Sequence, residues 1–266
     1  WNFPPRANGV DEDFGPLMAL AKLVDPETTK TEDFVEAAEK TMDVDEWTRI
    51  LAGRTAANDW DTYGMQRGKN SYLFRAPDGK WRLLPWDSDL SWGGFGRFGG
   101  FGRSQSLVSQ KFPAVARFLE QPRYERMFLS RLAFLAERRL EPKVFAEFLT
   151  EVEALSGIAA REVSYAAENR RSTILEQLPE TKLEVSSVSR TTGDDGAERI
   201  VVRGTAPILA TELKLAGQTG RSEFPDTKTF VATFELKAGV SGSTELEALD
   251  FSGVEVDRVA VEVPAN

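Results

Sequence analysis

Neither cysteine nor histidine occurs anywhere in the 266 residues. The first absence excludes disulfide frameworks, thiol nucleophiles and thiolate zinc sites. The second excludes histidine triads and imidazole metal ligands. Also missing is any apolar run near the ~18 residues that a membrane span requires, so no membrane span is expected. Basic charge is short: 33 Lys and Arg face 42 Asp and Glu, a net of −9. That balance lacks the global basic footprint of a nucleic-acid binder, and no nucleic-acid partner is expected. What remains for chemistry is carboxylates, amides, lysines, hydroxyls and backbone groups, a set suited to a hard, oxygen-preferring cation. The start, Trp1-Asn2-Phe3-Pro4-Pro5, carries no initiator Met and no signal-peptide pattern, as expected of a piece of a longer product.

What is present is unevenly spread. Residues 1–61 hold 6 basic and 14 acidic side chains, whereas residues 97–143 hold 10 basic and 4 acidic. An acidic segment beside a basic one suits a metal–phosphate site, although solvated helix faces are the commoner cause of such runs. All six tryptophans lie within the first 92 residues, which points to two unlike domains. With 41% hydrophobic residues, the chain has ample material for a core in each, at roughly 100–200 residues per domain.

Helical spacing runs over 14–24 and 31–40, and Asp43 or Asp45 can cap a helix reaching about Ala56 with Trp47, Ile50 and Leu51 inward. Ser71–Arg75 and Lys80–Leu84 read as two strands joined by Ala76-Pro77-Asp78-Gly79, a turn in which Pro presets φ and Gly accepts positive φ. The glycine-rich stretch 93–102 is expected to be a mobile loop. Periodicity of three and four returns from Phe112 to about Leu178, with Pro122 and Pro142 at helix starts. Beyond Pro179, runs at 183–188, 200–202, 208–215, 230–236, 244–249 and 254–263 are rich in β-branched residues. Together they fit a small antiparallel sandwich. The expected fold class is therefore α+β, with a boundary near residue 180: a mostly helical unit over 1–180 carrying the hairpin, and a small all-β Ig-like sandwich over 181–266.

Two acidic clusters flank the hairpin. One is Asn58-Asp59-Trp60-Asp61-Thr62-Tyr63-Gly64, followed by Asn70; the other is Pro85-Trp86-Asp87-Ser88-Asp89. If Arg75 pairs with Lys80, Asn70 faces Pro85, and an amide and two to four carboxylates converge at the open end of the hairpin. Carboxylates so close repel unless a cation lies between them, and Mg²⁺ is held through one or two carboxylates plus substrate phosphates. Asp-rich loops also serve simply as caps and turns, and Lys69, a possible phosphate contact, sits where lysines are usually only solvated. Asp59-X-Asp61 mimics the start of a calcium loop, but Asn70 stands where its terminal Glu belongs. Asp13-Phe14-Gly15 spells the kinase metal tripeptide with no His-Arg-Asp before it. The glycine-rich loop lacks Gly-Lys-Ser/Thr and follows no dinucleotide fingerprint.

Three segments in this order are similar to the core of the CotH family, spore-coat kinase-like proteins of bacteria on an atypical protein-kinase fold. They are Asp59-Trp60-Asp61-Thr62-Tyr63, Lys69-Asn70-Ser71-Tyr72-Leu73-Phe74-Arg75, and Lys80-Trp81-Arg82-Leu83-Leu84-Pro85-Trp86-Asp87-Ser88-Asp89-Leu90-Ser91-Trp92-Gly93. Gln121-Pro122-Arg123-Tyr124 resembles the family's later helices, and the resemblance covers roughly residues 10–178. It implies phosphoryl transfer from ATP to protein Ser or Thr hydroxyls with Mg²⁺ or Mn²⁺. In that scheme Asp61 orients or deprotonates the acceptor, Asn70 holds a metal, Asp87 is the metal-binding aspartate and Asp89 a neighbour or second ligand, with Lys69 beside the nucleotide. It further implies a coat or surface protein as partner and an extracellular or cell-surface location.

One departure stands out. Kinases also need a lysine on an N-terminal-lobe strand and a glutamate that pairs with it. The 60 residues ahead of the Trp-Asp loop read as helices here, so this half of a kinase is expected to lack its ATP-anchoring lobe. Two alternatives remain: a non-catalytic coat or surface scaffold, and a nucleotide-sugar glycosyltransferase in which Asp87-Ser88-Asp89 holds Mn²⁺.

Overall fold

A computed structural model describes residues 13–63, 69–93, 106–107, 112–157, 160–192, 197–235 and 241–265. The chain begins with α1 (Gly15–Val24), α2 (Thr31–Thr41) and α3 (Val44–Ala56). Of the two candidate caps for α3, Asp43 is the one used: its carboxylate accepts from the Glu46 amide at 3.1 Å. That cap also seats the hairpin formed by β1 (Ser71–Arg75) and β2 (Trp81–Pro85). The Asp43 amide donates to the Trp81 carbonyl at 3.0 Å, and so does Trp47 Nε1 at 2.9 Å. Arg82 returns a salt bridge to Asp43 at 3.1 Å. The hairpin is thereby stitched to the first turn of α3, and its open end lies toward that helix's last turn.

The hairpin register differs from the sequence expectation by one residue. Arg75 pairs with Trp81, Leu73 with Leu83 and Ser71 with Pro85, so Asn70 meets Trp86 rather than Pro85. The reason is the turn. Gly79 takes φ +81° while its amide bonds the Ala76 carbonyl, and the Ala76 amide bonds the Lys80 carbonyl, both at 2.9 Å. A left-handed glycine of this kind adds one residue to the connection. The observed register sets Leu73 and buried Leu83 on one core-facing side, a pairing of apolar side chains that the other register would have broken.

The second helical stretch comprises α4 (Pro113–Leu119), α5 (Pro122–Phe134), α6 (Pro142–Ser156) and α7 (Arg161–Gln177). Proline opens α4, α5 and α6, where a missing amide costs nothing. α5 runs on into a π-helical turn over 135–139, closed by Leu140 N–H to the Leu135 carbonyl at 2.8 Å. Phe34, Trp47, Phe118, Tyr124, Phe128 and Ile174 form the centre of one hydrophobic core, each large side chain contributing about 1.5–3 kcal/mol. Buried arginines tie the helices by their backbones: Arg117 donates to the carbonyls of Leu23 and Thr29, and Arg170 to that of Thr55 at 2.9 Å.

The remaining chain makes two four-stranded antiparallel sheets. β3 (Glu184–Thr192), β4 (Glu198–Thr205), β8 (Thr229–Glu235) and β7 (Arg221–Glu223) lie side by side in that order; opposite them run β10 (Glu255–Val263), β9 (Gly242–Leu249), β5 (Glu212–Leu215) and β6 (Gln218–Thr219). Inward side chains from both, among them Val202, Phe230, Phe234, Leu213, Leu246 and Val261, share a second core. The protein is thus α+β, as its sequence pattern predicts. Within it, the run expected as one strand over 208–215 divides: only Glu212–Leu215 is a strand. Ile208 and Leu209 instead turn away and insert into the helical core, burying apolar surface that a continuous strand would have left outside the sandwich.

Candidate active site

The carboxylates and amide singled out in the sequence meet where α3 ends and the hairpin opens. Asp61 is 4% exposed. Lys69 Nζ lies 2.6 Å from its Oδ2, and Asn70 Nδ2 donates to the Asp61 carbonyl at 2.8 Å and to Oδ2 at 3.4 Å. Asn70 also accepts, through its own carbonyl, the Trp86 amide at 3.0 Å, which brings the start of the Trp86-Asp87-Ser88-Asp89 loop against it. Three of the five expected residues, Asp61, Lys69 and Asn70, are therefore in direct contact. Asp87 and Asp89 lie on that adjoining loop and are exposed. Among the described residues no three acidic side chains are grouped closely enough to hold a metal by themselves.

Beneath them is a residue that the sequence did not single out. Arg54, on the last turn of α3, is 6% exposed and ion-paired with Asp59, itself 1% exposed. Its Nη2 donates to two carbonyls, Asn70 O and Trp86 O, each at 2.8 Å. One side chain thus joins the helix end, the segment entering β1 and the segment leaving β2. An arginine can do this because its planar fork presents several donors at fixed angles. Burial pushes the Asp59 carboxyl above its ordinary range despite Arg54, and the nearby charges of Asp61 and Asp89 push the same way. Nothing in an Asp-X-Asp pattern shows that both members are buried or that Asp59 is the one paired with an arginine, which is why Asp59 read only as one of an acidic cluster.

The backbone around this hub is strained. Five described non-glycine residues hold positive φ, and four of them surround the site: Asn58 (50°), Asn70 (57°), Asp87 (50°) and Trp92 (60°). Asn and Asp tolerate this region better than most, but for Trp it is a true outlier. Trp92 is kept there by its amide bond to the Ala57 carbonyl at 2.7 Å and by packing on the Phe145 ring at 5.3 Å. Buried Arg54 Nε, Asp59 Oδ1, Thr62 Oγ1 and Ser71 Oγ have no hydrogen-bond partner among the described residues. A cavity of about 400 Å³ adjoins the first two, walled by Ile50, Arg54, Asp59, Pro85, Ser88 and Trp92. Strain and unpartnered polar atoms concentrated in one place are what functional sites tend to carry.

For a divalent cation, the donor chemistry is suitable. Asp87 and Asp89 supply exposed hard oxygens, and Asn70, whose NH₂ is spent on Asp61, keeps the oxygen end of its amide for a ligand. Tyr63 anchors the rear of the loop. Its amide bonds the Lys69 carbonyl at 2.8 Å, and desolvation between Trp47 and Phe112 pushes its phenol up to about 12. The glycine-rich stretch beyond Gly93 lies outside the described residues.

A family model described as "CotH kinase protein" matches residues 2–184. The matched span runs from before α1 to the first residue of β3 and takes in Asp61, Lys69, Asn70, Asp87 and Asp89. Among curated proteins, none matches the chain.

Proposed function

The chain belongs to the CotH kinase family, and from that premise we propose that it transfers the γ-phosphoryl group of ATP to Ser or Thr hydroxyls of a coat or surface protein outside the cell. The observation that carries the reading is the junction of Asp61, Asn70 and Trp86: one asparagine bonds the candidate catalytic aspartate through its side chain and the candidate metal loop through its carbonyl. Phosphoryl transfer needs positioning and charge neutralisation more than a strong nucleophile, so a site without histidine is competent for it.

Asp61 orients the acceptor hydroxyl and takes its proton. Lys69, at 2.6 Å from Asp61 and half exposed, fixes the position of that carboxylate and presents positive charge to the incoming phosphates. Asn70, Asp87 and Asp89 are the residues that would hold Mg²⁺ or Mn²⁺, which when bound neutralises charge on the transferring group. The unit over 1–180 carries this chemistry, and that over 181–266 is read as Ig-like. In support, with the two-residue β6 left out of the count, its sheets take the first, second, fifth and fourth strands on one side and the seventh, sixth and third on the other. The described residues ahead of the hairpin form α1–α3 without a parallel sheet, which leaves a nucleotide-sugar fold unsupported.

A second reading, a non-catalytic scaffold, is favoured by the Lys69–Asp61 ion pair, since it occupies the carboxylate that must engage an acceptor. The test is thermal stabilisation by MgATP beside phosphate incorporation into dephosphorylated casein. At a hundred times Kd, nucleotide should stabilise the fold by about 2.7 kcal/mol. Asp87→Asn should lose that response, and Asp61→Ala should keep it while losing transfer. Absence of both stabilisation and transfer in the natural chain would favour the scaffold.

A further inference from the structure

We infer that Arg54 is a positioning residue: it sets the geometry of Asn70 and Asp87 relative to Asp61 without touching substrate. The inference rests on the phosphotransferase reading and adds to it a residue outside the resembling motifs. At 6% exposure, and with Nη1 engaged by Asp59 and Nη2 by the carbonyls of Asn70 and Trp86, Arg54 is committed to the protein's own groups. Its two 2.8 Å bonds fall on the carbonyls of Asn70 and Trp86, which are also the last bonded pair of the hairpin ladder. Each carbonyl therefore lies at the hinge of a left-handed residue, Asn70 itself at φ 57° and Asp87 immediately after Trp86 at φ 50°.

A conformation that costs energy at both residues persists only if something over-determines it. Charge-assisted bonds from one rigid guanidinium to both carbonyls do so, and they fix the spacing between the two strands' ends as well. Asp59 aims the fork by pairing with Nη1. The Asp59 amide bonds the Arg54 carbonyl at 3.0 Å, so the two residues are locked in both main chain and side chain. Lysine offers a single flexible ammonium here and cannot reproduce a fork that serves a carboxylate and two carbonyls together.

The test is Mn²⁺ affinity in the presence of ATP, read from the solution EPR signal of free Mn²⁺. Residues that orient metal ligands typically change affinity by about 10–100-fold when replaced. Arg54→Lys is expected to bind Mn²⁺ at least tenfold more weakly. Arg170→Lys is the control: it disturbs a buried arginine at the same helix end, bonded to the Thr55 carbonyl, and should lower the melting temperature without changing Mn²⁺ affinity. Should Arg54→Lys fail to fold, Asp59→Asn keeps the arginine but removes the carboxylate that aims it, and a loss of at least threefold is expected. Unchanged affinity in whichever of these variants folds, or losses in Arg54→Lys and Arg170→Lys that merely follow their melting temperatures, overturns the positioning role. If the natural chain itself binds no Mn²⁺, the phosphotransferase reading fails first and the inference falls with it.

Discussion

Arg126 and Arg54 are both nearly inaccessible, at 2% and 6% exposure, and both spend their N–H groups on backbone carbonyls, yet their surroundings differ in kind. Arg126, on α5, donates to Pro207 at 2.7 Å, to Thr227 and Ala210 at 2.9 Å, and to Ala206 at 3.5 Å. All four lie in the β unit, and the guanidinium also covers the Phe224 ring. Ile208 and Leu209 insert beside it, and a salt bridge from Arg138 to Asp250 at 2.8 Å closes the edge. None of these interface residues has positive φ. Both arginines leave Nε without a hydrogen-bond partner among the described residues, but around Arg54 there are also a carboxylate pushed upward, four left-handed residues and a cavity. The first arrangement joins two units through unstrained backbone, although burial works against its guanidinium charge. The second stores strain, and strained residues cluster where geometry is used.

The largest effect should come from breaking the unstrained side. Arg126→Met leaves four carbonyls facing an apolar side chain, and a loss of about 3–4 kcal/mol in urea denaturation is expected from unsatisfied buried acceptors. A loss below about 1 kcal/mol would mean that the two units are barely coupled there.

Asp250→Asn comes next, at about 2 kcal/mol. Burial works against the ionised Asp250, but the Ser252 hydroxyl, Arg138 and the Val254 and Ser252 amides outweigh it and hold its carboxyl below the usual 3.8. A lowered folded value means that the stabilisation is present above the unfolded value and lost as pH falls through the folded one. The difference between the natural chain and the variant should be constant from neutral pH to about 5 and close below that. Asp59 should behave oppositely. Its carboxyl is raised, so the folded state takes up the proton first and its contribution improves as pH falls toward 3.8. Asp59→Asn should accordingly cost less than Asp250→Asn at pH 7, while weakening Mn²⁺ binding as argued above. Equal destabilisation by the two variants would erase the distinction between a structural and a functional carboxylate.

How much of this was legible in the sequence follows the same division. The Asp43 cap, the helix-opening prolines and the Pro-Asp-Gly turn are local chemistry, and they mark the chain where they act. The hairpin pattern set Asn70 beside the Trp86-Asp87 loop with the Asp61 segment entering the same end, and Asn70 bonds both Trp86 and Asp61. The pairing of Lys69 with Asp61 was not read. The one-residue register difference was readable in principle, because only the observed register sets Leu73 opposite Leu83. Arg54 and Arg126 were not readable, since their main acceptors are carbonyls that every residue possesses. Ile208 and Leu209 read as strand because periodicity reports apolar character but not which core receives it.

The smallest effect isolates strain from function. Ala216 is the fifth described non-glycine residue with positive φ, at 50°, followed by Gly217 at 74°. The two close β5 onto β6, where Leu215 pairs with Gln218. A two-residue hairpin loop with both residues left-handed prefers Asn-Gly, and Ala in the first position costs about 1 kcal/mol. Ala216→Asn should therefore raise stability by about 0.5–1 kcal/mol and leave Mn²⁺ and ATP responses untouched, because no candidate site residue adjoins that turn. Asp87→Gly relieves the same strain in the helical unit and should gain a similar amount in denaturation, but at the expense of the MgATP-dependent thermal shift. If the two substitutions were equally silent toward nucleotide, the left-handed residues around Arg54 would be ordinary turn geometry. A gain in stability paired with a lost response only at Asp87 would show that a used carboxylate sits on a strained residue. Asp87→Asn, which keeps a residue tolerant of positive φ there, separates loss of the carboxylate from relief of the strain.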